Sequence, residues 1–384
     1  MDSEVAHRQR TRRVMVGEVP IGGGTPVSIQ SMTLASPVDL GASVAEIERL
    51  ADAGVEIVRT AVPNEAAAAN LPELVKNSPV PLVADIHFNY QLAITAAEAG
   101  VAKLRLNPGN IGDARRVRAV VDAARERGLP IRIGVNAGSL ERDLLAKYGS
   151  PTAEAMLESA RRHVRILEDE GFDDIVISLK ASRVPLMIEA YRLAAREYVY
   201  PLHLGVTEAG TPRAGNIKSA IGIGTLLAEG IGDTIRVSLS ADPVEEVHAA
   251  RTILESLDLR RESIRIVACP GCGRLQVDLI RLAEEVEERT RDIRKPLTVA
   301  VMGCAVNGPG EAREADIGIA GGKGEGLLYV RGAMVRKVPE DMIVDALIEL
   351  IGEVEPDPAW EARGAEAVTW TPDWEDGASR STSR

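Results

Sequence analysis

The chain has 384 residues, 45% of them hydrophobic and 27% charged, which suits one large packed core plus a smaller one and not a disordered chain. A formal net charge of −12 argues against a general nucleic-acid or anionic-membrane surface, so any anion site must be local and concentrated. The stretch MDSEVAHRQRTRR has no apolar core or cleavage site, the longest apolar run (297–306) is too short for a membrane span, and three cysteines make no disulfide framework; a cytoplasmic protein is expected.

Eight short runs rich in β-branched residues come first. They are VSIQSM from Val27, EIVRTA from Glu56, PLVADI from Pro81, KLRLN from Lys103, IRIGVN from Ile131, DIVISLK from Asp174, PLHLGV from Pro201 and TIRVSL from Thr234. Most gaps between them carry a helical period. In 43–53, Val44, Ile47 and Leu50 fall three apart, opposite Glu46, Glu48 and Arg49; in 153–170, Met156, Leu157, Ala160, Val164 and Leu167 form a stripe. Gly54, Gly100, Gly128, Gly171 and Gly230 stand just before the next strand, where helices stop. The alternation predicts parallel strands with right-handed crossovers. Eight near-even repeats predict an α/β fold of the (β/α)8 TIM-type barrel class. An open doubly wound sheet is the alternative, and no GxGxxG supports it.

Past Leu259 the pattern changes. A strand at 263–268 leads into CPGC, a charged helix is expected over 277–291, and a strand at 297–301 leads into GCAVNGPGE. A β-hairpin crosses 321–326 and a last helix covers 341–351. The expected division is a barrel over 1–260, a smaller α+β domain over 261–352, and an acidic, disordered tail over 353–384. That tail holds Trp360, Trp370 and Trp374, and the alternative is a segment that docks them.

The site of such a barrel lies at the C-terminal ends of its strands. Polar residues recur there at period two, so they share a face on each strand. Arg59 closes the second strand, Asp85 and His87 the third, Arg105 and Asn107 the fourth, and Arg132 and Asn136 the fifth. Ser178, Lys180 and Ser182 extend the sixth, His203 and Thr207 the seventh, Arg236 and Ser238 the eighth. Five cations, Arg59, Arg105, Arg132, Lys180 and Arg236, then approach one mouth of an otherwise acidic protein. An anion relieves their mutual repulsion, and Arg forks match phosphate oxygens. Rim ion pairs are the competing reading, but only Asp85 and Glu208 stand at comparable positions. The expected ligand is a phosphate or diphosphate. Glu208, in VTEAG, is a candidate acid/base group or a charge-balancing one. His87 is a candidate to orient substrate or donate a proton, or is structural; His163 and His248 fall in helical runs and are expected at the surface.

All three cysteines lie in the smaller domain: Cys269 and Cys272 as C-P-G-C, and Cys304 in GCAVNGPGE. A lone C-x-x-C fits a redox disulfide or half a zinc site, but a zinc site wants a fourth Cys or His and this domain has no histidine. A [4Fe–4S] cluster tolerates one non-cysteine ligand. Glu311 is a candidate for that place, and equally an acid at a helix N-terminus. A zinc- or disulfide-bearing lyase acting on a phosphorylated substrate and a non-catalytic electron carrier stay open.

VSIQSMT, VRTAVP, ADIHFNY, KLRLNPGN, IRIGVNAGSL, ISLKAS, HLGVTEAG, ACPGCGR and GCAVNGPGEA together resemble the 4-hydroxy-3-methylbut-2-enyl diphosphate synthase family, in register from about Thr11 to about Ile351. The resemblance implies a barrel followed by a sulfite-reductase-like cluster domain. It implies reduction of 2-C-methyl-D-erythritol 2,4-cyclodiphosphate to 4-hydroxy-3-methylbut-2-enyl diphosphate in the non-mevalonate isoprenoid pathway. Cys269, Cys272, Cys304 and Glu311 are then expected to hold a [4Fe–4S] cluster. Arg59, Arg105, Asn107, Arg132, Asn136, Lys180 and Ser238 match positions that grip the diphosphate, and Glu208 matches a carboxylate beside the ring carbons. Asp85 and His87 keep an open role. No flavin or nicotinamide motif is present, so flavodoxin or ferredoxin is the expected electron donor. A homodimer is expected, with the cluster domain of one subunit closing its partner's barrel. Gly271 departs from the family, which is expected to carry a small polar residue there.

Overall fold

The computed structural model describes residues 6–304 and 308–356, in two compact units that meet between Leu257 and Asp258. The expectations for the tail and its tryptophans lie outside the described residues.

The first unit opens with a short helix, α1 (His7–Arg10), and an antiparallel hairpin, β1 (Val14–Val16) and β2 (Val19–Ile21). Strands and helices then alternate: β3 (Ser28–Met32), α2 (Leu40–Asp52), β4 (Ile57–Ala61), α3 (Glu65–Asn77), β5 (Leu82–Asp85), α4 (Tyr90–Glu98), β6 (Lys103–Arg105) and α5 (Ala114–Glu126). They continue with β7 (Ile131–Asn136), α6 (Arg142–Tyr148), α7 (Ala153–Asp169), β8 (Ile175–Lys180), α8 (Val184–Glu197), β9 (His203–Leu204), α9 (Pro212–Ala228), β10 (Thr234–Ile235) and α10 (Pro243–Ser256). Each of the eight strands from β3 to β10 starts within two residues of one of the eight apolar runs. Six helices begin behind an Asp, Asn or Thr whose side chain accepts a backbone N–H of the first turn, which fixes where each starts.

The eight strands pair in parallel in the order β8-β7-β6-β5-β4-β3-β10-β9, and a bridge from Ile177 to Leu202 closes the ring. This is the (β/α)8 barrel, not the open sheet. The β1–β2 hairpin stops its N-terminal end: Val14, Val16 and Ile21 pack on Ile57, Val83 and Val176 of β4, β5 and β8. The β8/β9 seam is the thinnest part of the ladder. There the buried Tyr191 of α8 accepts the Leu179 N–H at 3.0 Å and donates to the His203 carbonyl at 2.5 Å. One phenol thus satisfies backbone groups on two strands.

The second unit contains β11 (Arg265–Ala268), α11 (Leu279–Thr290), β12 (Thr298–Met302), α12 (Gly308–Glu314), β13 (Ile317–Gly322), β14 (Glu325–Val330), β15 (Ala333–Pro339) and α13 (Ile343–Glu353). Its sheet runs β11-β12-β13-β14-β15, parallel up to β13 and antiparallel beyond. The expected hairpin is β13–β14. Leu282 and Val286 of α11 share a core with Leu347 of α13 and with Val299, Val301 and Ile319 of the sheet. Among the described residues no helix is long and apolar enough to cross a membrane.

Tyr191→Phe should cost about 3 kcal/mol of barrel stability, because it leaves a buried N–H and a buried C=O at the seam without their partner. Urea unfolding followed by circular dichroism measures this, and an unchanged midpoint would show that the phenol does not hold the seam.

Candidate functional site

Along each strand, the pleat carries one face from the hairpin toward the C-terminal end. That face changes character on the way. Ile57 is followed by Arg59, Val83 by Asp85, and Val176 by Ser178 and Lys180. The strands between bring in Lys103, Arg105 and Arg132, and none of these or Lys180 is more than 7% exposed.

Asp85 serves two of the cations. Arg105 Nη1 donates to its Oδ1 at 3.0 Å, and Arg59 Nε lies 3.6 Å from its Oδ2. Arg105 Nη2 donates to the Gly134 carbonyl at 3.2 Å, and exposed His87 places Nδ1 3.2 Å from Arg105 Nη1. Burial alone would raise Asp85, but Arg59, Arg105 and Arg132 outweigh it and hold the carboxyl below its ordinary range. Arg59 turns its Nε and Nη2 to Met32 Sδ at 3.2 and 2.8 Å, a weak acceptor. Burial pushes its guanidinium down to about 10 despite Asp85.

Arg236 is held differently. Its Nε and Nη2 form a fork with the buried carboxylate of Glu246, each at 3.2 Å, and Glu246 also accepts from Ser31 Oγ and the Leu239 N–H. This acid corrects the expectation that only Asp85 and Glu208 lie near the cations. Glu246 comes from the first turn of α10, where DPVEEV reads as an ordinary helix start. Glu208, by contrast, is exposed and forms no ion pair among the described residues; its φ is 53°. A glutamate stays in that left-handed region only where its surroundings fix it.

Arg59, Lys103, Arg105, Arg132, Lys180 and Arg236 therefore face two carboxylates, Asp85 and Glu246. Arg132 Nε and Nη1 and Lys103 Nζ have no hydrogen-bond partner among the described residues. Burial first, then neighbouring arginines, lowers Arg132 and Lys180 well below their ordinary values.

Two glycines make the room. A Cβ at Gly134 would lie 2.7 Å from Arg105 Nε, and one at Gly205 would lie 2.9 Å from Lys180 Nζ. Asn107 clamps Gly134, donating to its carbonyl at 3.0 Å and accepting its N–H at 2.8 Å, which leaves one amide N–H for a ligand. Asn136 and Ser238 are half-buried at their strand ends. His163 corrects its expectation: it is buried, and Nδ1 accepts the Gly109 N–H at 3.2 Å, pinning the loop after Asn107. His248 is half-buried.

In the second unit, Cys269 and Cys272 follow β11, and Cys304 follows the adjacent parallel strand β12. Their loops are tied together: the Cys269 N–H donates to the Val301 carbonyl at 3.3 Å and the Gln276 N–H to the Gly303 carbonyl at 3.0 Å. Gly271 has φ 76°, so glycine suits a turn that side chains enter reluctantly. No disulfide joins the cysteines. Backbone and side-chain hydrogen bonds from Arg274 lower exposed Cys272 below the ordinary thiol range. Glu311 is exposed in the first turn of α12. Three thiols on neighbouring loops plus a carboxylate fit an iron–sulfur cluster by donor type. Among the described residues, no three Cys, His, Asp or Glu side chains converge as a formed metal site.

The first unit is thus a (β/α)8 barrel whose cation-rich end is the one where barrel enzymes work. The chain belongs to the GcpE family: the GcpE TIM-barrel domain matches residues 11–251 and the GcpE protein C-terminal domain matches 265–353. The 4-hydroxy-3-methylbut-2-en-1-yl diphosphate synthase (flavodoxin) of Geobacillus thermodenitrificans is 59% identical over 345 residues, covering 90% of this chain and 92% of that protein. The protein of the same name from Bacillus licheniformis is 58% identical over 345 residues, covering 90% and 93%. A truncated 3-deoxy-D-arabino-heptulosonate 7-phosphate synthase from Thermotoga maritima superposes with a TM-score of 0.47 at 16% identity, over 64% of this chain and 93% of that one; at that distance it carries no argument.

Gly134→Ala should push the Arg105 guanidinium away from Asp85 while leaving the fold intact. Ligand affinity should fall at least tenfold, about 1.4 kcal/mol, in calorimetric titration with a cyclic diphosphate; unchanged affinity would remove Arg105 from the site.

Proposed function

We propose that this protein reduces 2-C-methyl-D-erythritol 2,4-cyclodiphosphate to 4-hydroxy-3-methylbut-2-enyl diphosphate in the cytoplasm. With the diphosphate ionised, the reaction takes up two electrons and one proton and releases one water. The observation that carries this reading is the excess of buried cations over carboxylates on the barrel's inner face; membership of the family supports it.

Arg132, with two unpartnered donors, Arg59, Arg105 and Lys180 would grip the diphosphate, and Asn107, Asn136 and Ser238 would add neutral donors. When the ring C–O bond breaks, charge develops on a diphosphate oxygen, and cations already in place stabilise it without rearranging. Asp85 positions Arg59 and Arg105. Arg236, locked to Glu246, contributes charge from a fixed place. His87 lies within reach of Arg105 and would orient substrate. Glu208 would pass the proton to the oxygen that leaves as water.

Cys269, Cys272, Cys304 and Glu311 would hold a [4Fe–4S] cluster, which supplies electrons one at a time when bound. The names of the curated relatives support flavodoxin as the donor. A homodimer with a shared site is part of this reading. Exposed Leu34 and Phe88, on the loops after β3 and β5, suit a face that another subunit covers.

The test is anaerobic turnover of protein loaded with iron and sulfide, given the cyclic diphosphate and a chemical reductant. Product should form, and Glu208→Gln should lower kcat about 100-fold or more with unchanged iron content. Loaded wild-type protein that makes no product would overturn the reading, and wild-type turnover by Glu208→Gln would remove Glu208 from proton transfer.

A further inference from the structure

Lys103 has no part in the grip described above. It is fully buried, and its Nζ has no hydrogen-bond partner among the described residues. The pleat gives it the inner face, two residues before Arg105 on β6, one strand repeat (roughly 6–7 Å) closer to the hairpin. Its register partner Val83 packs on that hairpin, so the floor beneath it is apolar. Arg59 faces it from β4 and Arg132 from β7, with Arg105 on its own strand. His203 lies toward it from β9, and neither ring nitrogen has a hydrogen-bond partner among the described residues. Asp85 of β5 is already engaged by Arg59 and Arg105, and its strand offers Lys103 only Val83.

A buried ammonium with neither acceptor nor counter-ion is unstable relative to the neutral amine. Burial first, then Arg132 and Arg59, lowers Lys103 well below the ordinary lysine range. A diphosphate resting on Arg59 and Arg132 reverses the local charge directly above the amine. Resting on the function proposed above, we propose that Lys103 is a proton-uptake station: docking of the diphosphate draws one proton from solvent onto the Lys103 amine, which then balances ligand charge from beneath. The step makes one N–H bond and needs no reactant besides the ligand and a solvent proton. By linkage, affinity must then fall as pH rises, by up to tenfold per unit where uptake is complete.

Oxidised, cluster-loaded protein is titrated calorimetrically with the cyclic diphosphate at pH 8, in HEPES and in Tris, whose ionisation enthalpies differ. The wild type should take up at least one proton per ligand, and its Kd should weaken from pH 7 to 9. Lys103→Met, of similar length but without charge, and Lys103→Arg, permanently charged, should each take up about one proton fewer and have a shallower pH profile. Lys103→Met should also raise the Tm of the ligand-free protein. The sign follows from a lysine lowered in the fold: it weakens the folded state most at low pH, so the gain shrinks as pH approaches the ordinary lysine value. Heats that do not depend on buffer, or uptake undiminished in both variants, would overturn the assignment while leaving the proposed function standing. No binding to the wild type at all would overturn both.

Discussion

Charge that cannot be paired governs this barrel. Asp85 holds Arg59 and Arg105 in place and Glu246 holds Arg236, but Arg132 and Lys180 are buried beside them, and neither pairs with a carboxylate among the described residues. Two like charges about 6 Å apart repel by roughly 3 kcal/mol at an effective dielectric near 20. This repulsion works against folding. Devices elsewhere offset this: the apolar hairpin under the strands, the Tyr191 phenol across the β8/β9 seam, and glycines at 134 and 205 that let cationic head groups fit without displacing backbone. Stability given up inside the barrel is what makes an anion welcome there.

The site follows from the same alternation that builds the fold. A strand face that begins apolar against the hairpin and ends charged at the C-terminal end produces a floor and a binding surface from one pleat. The helices behind the strands complete it. Glu246 reaches in from α10, and His163 of α7 fixes the loop that follows Asn107. Residues on the outer helices thus decide where Arg236 and the loop after Asn107 stand.

How much of this is legible in the amino-acid order depends on whether the determinant is periodic. The eight strands are legible because each is a short apolar run, and five of them follow a helix that stops at a glycine. The β1–β2 hairpin is not, since VMV and VPI are three residues each and carry no period. β15 escapes notice because AMVRKVP is largely exposed and its apolar residues are interrupted by Arg336 and Lys337. In the site, the cations at alternate positions can be read directly. Glu246 cannot, because its role depends on how one helix packs against a strand end. His163 carries a signal that the arginines around it obscure: it lies three residues past Ala160 and seven past Met156, on the buried stripe of α7. Lys103 shares the parity of Arg105, but a lysine that opens a strand reads as a solvated end.

The claim at the centre, that the inner cations await an anion, is tested most directly by the thermal midpoint of the ligand-free protein against that of protein holding the cyclic diphosphate. Ligand at about 100 times its Kd should add about 2.7 kcal/mol of stability and a clear rise in Tm, with the benefit shrinking as salt competes at the mouth. A midpoint that the cyclic diphosphate leaves unmoved at every concentration, or that an uncharged polyol raises equally, would contradict the account.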